Sequence, residues 1–62
     1  MKLNLEPNIV KPDDFYEALI NIQRDCSDDE VQLMNAKLIL ILANHIGDRE
    51  VLMEALKVAA GK

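Results

Sequence analysis

The side chains that could perform chemistry in this chain are few, and most of them fall near one point. His45, the single histidine, stands three residues before Asp48. An imidazole and a carboxylate at this spacing could form half of a metal site or a proton-transfer pair, to be completed by a second chain. A structural role for His45 is the default interpretation and the half-site is the alternative, because the helix dipole favours a cation near a helix C-terminus. The candidate functional polar residues are Tyr16, Asn44, His45 and Asp48.

The two possible nucleophiles, Cys26 and Ser27, stand at the expected start of a helix. The residues from Ser27 to Glu30 match a capping box, and Cys26 is spaced from Val31 as a hydrophobic staple. One cysteine and one histidine are too few for a closed zinc site, and the two glycines form no phosphate-binding loop. We therefore predict no catalytic residue, no metal and no cofactor, and we expect that the protein is not an enzyme.

The charge and the hydropathy of the chain argue against two classes of partner, nucleic acid and membrane. Seven lysines and arginines stand against eleven aspartates and glutamates, a formal net charge of −4. Nucleic-acid binding requires a dense basic surface, whereas these cations are scattered along the chain. The N-terminus lacks the apolar stretch of a signal peptide, and no run approaches the ~20 apolar residues of a membrane span. We expect a cytoplasmic protein that binds neither nucleic acid nor membrane.

Hydrophobic spacing and helix signals predict one small all-α domain over residues 1–62. Residues 1–11, which include Pro7, should form an extended arm. A first helix is predicted over 13–26, because Pro12 and the acidic pair after it favour a helix start. The predicted buried face of this helix consists of Phe15, Ala18, Leu19, Ile22 and Cys26.

Two further helices follow from clear boundary residues. The capping box and Gly47 predict a helix over 28–46, because glycine adopts the left-handed conformation that ends many helices. Asp48 can cap a third helix over 49–60. The apolar face of this helix consists of Val51, Leu52, Ala55, Leu56 and Ala59.

The most informative pattern is the apolar run from Leu38 to Ala43. A helix advances ~100° per residue, so six consecutive apolar side chains reach every side of it. A chain of 62 residues is too short to cover such a helix, which predicts an intertwined helical homodimer built on the long second helix. The predicted dimer interface has coiled-coil spacing and contains Val31, Asn35, Leu38, Ile39, Leu42, His45 and Ile46.

Asn35 stands among apolar neighbours in that predicted interface, and its role has two interpretations. A buried asparagine can pair with its symmetry mate and fix the register of two helices. It can equally be an ordinary, partly exposed side chain.

Three segments resemble a small bacterial family, the domain of unknown function 2783: residues 11–19, residues 34–43 and residues 44–48. The resemblance extends over nearly the whole chain and implies a short stand-alone protein. Some relatives are found near flavin-dependent oxygenases and other catabolic enzymes, which implies an accessory role beside a metabolic oxidoreductase. The family supplies no catalytic residue.

We therefore predict an accessory or protein-interaction protein that acts as a homodimer and binds a partner enzyme. Two alternatives remain at this point. The turn at Gly47 between two helices could belong to a small transcriptional or antitoxin-like regulator, although such a protein needs a basic face. The other alternative is a dimeric enzyme with a shared pocket that contains His45.

Overall fold

A computed structural model describes residues 1–61 of the chain. It contains three helices: α1, Pro12–Gln23; α2, Asp28–Ile46; and α3, Arg49–Ala59. No β-strand occurs within residues 1–61, and residues 1–11 form an arm without regular secondary structure. The all-α prediction is therefore confirmed.

Helix α1 begins one residue earlier and ends three residues earlier than the sequence predicted. Pro12 occupies its first position, where a missing N–H has no cost, and Lys11 before it has a φ of 53°. The helix ends at Gln23 because the chain must turn before α2 starts. Arg24 is extended and Asp25 has a φ of 64°, a left-handed conformation that aspartate tolerates better than most residues.

The start of α2 is stabilised by a capping box. The backbone N–H of Glu30 donates to Ser27 Oγ at 3.2 Å, and the backbone N–H of Ser27 donates to Glu30 Oε1 at 3.0 Å. Gly47 ends the helix with a φ of 67°, and its N–H donates to the carbonyl oxygen of Ala43 at 2.9 Å. These bonds satisfy backbone groups that a helix leaves without partners at its two ends.

Helix α3 starts directly after this turn. Asp48 Oδ1 accepts a hydrogen bond from the backbone N–H of Val51 at 3.1 Å, which makes Asp48 the N-cap. The helix ends at Ala59, one residue before the predicted end.

A single chain covers few of its apolar side chains. Within residues 1–61 only Val51 is buried, at 7% exposure. The apolar side chains of intermediate exposure are Leu3, Leu19, Cys26, Val31, Met34, Leu38, Ala43, Leu52 and Ala55. The predicted buried face of α1 is thus only partly right: Leu19 and Cys26 are half-buried, whereas Phe15, Ala18 and Ile22 are exposed. The covered face of α1 contains Gln23 in addition to Leu19, because α1 meets α2 on that side.

The dimensions of the chain also show that it is less compact than a typical domain of its length. Its radius of gyration is 13.3 Å, compared with about 10.5 Å for a compact domain of this length. Its accessible surface is 5829 Å², whereas a compact monomer of this size exposes ~4,000 Å². The isolated chain therefore exposes roughly 1,800 Å² more surface than a compact monomer of its size.

Candidate protein-interaction surface

An open apolar groove lies between the C-terminal half of α2 and helix α3. The turn at Gly47 and Asp48 brings these two elements side by side, and the groove has a volume of about 400 Å³. Its lining consists of Ile39, Leu42, Ala43, Ile46, Leu52, Ala55, Leu56 and Ala59. We call this surface the α2–α3 groove. All eight lining side chains are hydrocarbon, so the groove can bind another apolar surface but offers no group for acid–base or nucleophilic chemistry.

Both large and small side chains line the groove, and four of its five large ones are exposed. Ile39 is 62% exposed, Leu56 is 61% exposed and Leu42 is 47% exposed. Beside them, Ala43 and Ala55 are half-buried and leave room for a side chain from outside. Such a surface favours association, because covering apolar surface is the main favourable term in most protein–protein contacts.

The structure divides the predicted dimer interface into two parts. Val31 and Leu38 are already half-buried within the chain. Asn35 Oδ1 accepts a hydrogen bond from Gln23 Nε2 of α1 at 2.8 Å, so this side of α2 contacts α1. The remaining apolar candidates, Ile39, Leu42 and Ile46, line the α2–α3 groove, whereas His45 is exposed outside it.

The four candidate polar residues do not assemble into a site within one chain. Tyr16 is 64% exposed on α1, and Asn44 and His45 are exposed near the end of α2. Asp48 is half-buried and caps α3, and its Oδ2 lies 3.8 Å from the N-terminal amine of Met1. In the described part of the chain, no hydrogen bond joins two of these four side chains. Nor do three or more metal-ligating side chains cluster anywhere in residues 1–61.

Ser27 forms the capping box that its spacing predicts, and Cys26 contacts the end of α1. Cys26 Sγ donates to the carbonyl oxygen of Ile22 at 3.7 Å, and Ser27 is occupied by the capping box. The backbone N–H of Ser27 lowers the pKa of Glu30 by stabilising its carboxylate, and the bond with the Ser27 hydroxyl lowers it further. The interactions between Ser27 and Glu30 belong to the start of α2.

Charge is divided unevenly between the two halves of the helical region. Residues 12–30 contain seven carboxylates and one cation, a net charge of −6. Residues 31–61 contain three carboxylates and three cations, so this segment is formally neutral. The α2–α3 groove therefore lies entirely in the neutral half of the helical region.

The sequence prediction missed the contribution of α3 to this surface. The sequence places four apolar residues of the groove on one face of the third helix, and the predicted dimer interface contains none of them: Leu52, Ala55, Leu56 and Ala59. The available signal was that apolar face together with the Gly47–Asp48 turn, which directs α3 back along α2. The coiled-coil spacing of α2 predicts a face that α1 partly covers at Val31 and Leu38. The same face reaches the groove at Leu42 and Ile46.

These features define a small all-α protein whose prominent surface is an apolar groove between two helices. The chain belongs to the family described as Protein of unknown function (DUF2783), whose model matches residues 3–61. The resemblance seen in the sequence is therefore confirmed. No similar curated protein and no similar solved structure was found. Within the residues described, none of the helices is long and apolar enough to cross a membrane.

Proposed function

We propose that this protein is a homodimeric interaction protein that acts as an accessory to a partner enzyme and is not itself a catalyst. The observation that carries the proposal is the excess of exposed apolar surface on a single chain. Within residues 1–61, seventeen large hydrophobic side chains are exposed, among them residues of all three helices and of the arm. A monomer that presents this much apolar surface is expected to associate.

The amount of excess surface suits a dimer of two such chains. If each copy covered its excess of roughly 1,800 Å², the pair would bury about 3,600 Å², within the ~2,000–5,000 Å² of obligate homodimers. Small domains commonly gain the stability that their own core lacks by associating in this way.

The hydrocarbon character of the groove supports binding in preference to catalysis. Catalysis requires titratable or nucleophilic groups gathered at one place, and the lining of the α2–α3 groove contains none. The partner enzyme that we favour is a metabolic oxidoreductase, because some proteins that resemble this chain are found near such enzymes.

Sedimentation equilibrium of the purified chain over a hundredfold dilution tests the homodimer. We expect the mass of two chains at high concentration and a loss of helical circular dichroism as dissociation proceeds. A chain that stays monomeric and fully helical across the whole range would refute the homodimer.

Affinity purification from native extract, with mass spectrometry of the co-purifying proteins, tests the accessory role. A metabolic oxidoreductase should be recovered in constant ratio to the tagged chain, also after chemical cross-linking. Recovery of the chain without any stoichiometric enzyme would contradict the accessory role and leave the homodimer in place.

A further inference from the structure

We infer that two copies of the chain pair through their α2–α3 grooves, related by a two-fold axis. This inference rests on the proposed homodimer and names the surface that forms it. In a two-fold interface the same surface meets itself, so it must contain both the projections and the hollows. The α2–α3 groove meets this condition because exposed Ile39 and Leu56 stand beside the small side chains of Ala43, Ala55 and Ala59.

The chemistry of the groove favours a second copy over a polar partner. All of its lining side chains are hydrocarbon, so covering them leaves no side-chain donor or acceptor without a partner. Ile39 and Leu56, together with Leu42 and Ile46, would lose the exposure that they have in a single chain. The excess surface of each copy, roughly 1,800 Å², is large enough for a stable pair that includes this groove.

The charge distribution distinguishes this surface from one at the start of α2, where the acidic segment 12–30 ends. Pairing near the start of α2 would bring two segments of net charge −6 together, and like charges facing each other oppose association. Pairing through the groove brings the two neutral segments together and leaves the acidic segments apart. The side of α2 that contains Asn35 is also partly occupied, because Asn35 is already hydrogen-bonded to Gln23 of the same chain.

Two substitutions of adjacent residues on α2 test the inference. Ile39 lines the groove and is 62% exposed, whereas Leu40 is 69% exposed and lies about 100° further round the helix, outside the lining. Ile39→Glu would place two carboxylates in the apolar interface. We expect I39E to be monomeric at concentrations where the wild type is dimeric, and L40E to remain a dimer, as measured by sedimentation.

Nuclear Overhauser effects in a mixed sample of labelled and unlabelled wild-type chains give a second readout that needs no variant. Intermolecular contacts should involve the methyl groups of Ile39, Leu42 and Leu56. Contacts confined to Val31 and Leu38, or a dimeric I39E beside a monomeric L40E, would overturn the inference while the homodimer stands. A wild-type chain that is monomeric throughout would overturn the homodimer itself, and the groove pairing with it.

Discussion

Truncation of one groove side chain should weaken the dimer by an amount that follows from its exposure. Complete burial of a leucine side chain is worth ~1.5–3 kcal/mol. Because Leu56 is 61% exposed in a single chain, covering the remainder in the dimer should contribute ~1–2 kcal/mol per copy. A two-fold axis places Leu56 in the interface twice, so Leu56→Ala should cost ~2–4 kcal/mol per dimer.

At ~1.4 kcal/mol per tenfold change, this cost corresponds to a dissociation constant raised by ~30-fold to ~700-fold. Sedimentation equilibrium measures the constant directly, with circular dichroism at each concentration to follow helix content. Leu33→Ala is the matched control, because Leu33 is 57% exposed on α2 but lies outside the groove. We expect L33A to change the dissociation constant by less than ~3-fold, since it should stay exposed in the dimer.

The reasoning would be refuted if L33A weakened the dimer as much as L56A does. It would also be refuted if L56A changed the constant by less than ~3-fold, because that change corresponds to well under 1 kcal/mol. Either result would mean that the surface covered in the dimer is not the one that Leu56 lines.

Three further predictions concern the helix boundaries and the contact between α1 and α2. Ser27→Ala removes the capping hydroxyl and should cost ~1 kcal/mol, a fall of ~4–8 °C in Tm measured by circular dichroism at fixed protein concentration. The lowered pKa of Glu30 adds stability above its unfolded value of 4.5, and this contribution is lost as the pH falls through the folded pKa. The wild type should therefore exceed Glu30→Gln in Tm at pH 7, and the difference should shrink below about pH 4.5; a difference independent of pH would contradict this assignment. Asn35→Leu removes the acceptor of the Gln23 bond, so it should destabilise the chain by about 1 kcal/mol or less and leave a dimer in sedimentation; a change of oligomeric state would instead support a register-setting asparagine.

Local signals in the sequence were enough to place both ends of α2 and the start of α3. The capping box from Ser27 to Glu30 and the glycine at position 47 act through neighbouring backbone groups, and α2 occupies Asp28–Ile46. The Asp48 cap acts in the same way for α3. The end of α1 was placed three residues too late, because no glycine or proline marks it and Asp25 turns the chain instead.

The sequence by itself determined that the chain is helical, where the second helix begins and ends, and that one chain has more apolar surface than it can cover. These properties depend on the spacing of residues and on contacts within one or two helical turns. Only the tertiary structure decided which side of each helix is covered: α1 uses Leu19 and Gln23, not Phe15, and α3 joins α2 to form the groove. The reason is that an apolar stripe specifies that a face needs a neighbour, whereas the turns between helices determine which neighbour it meets.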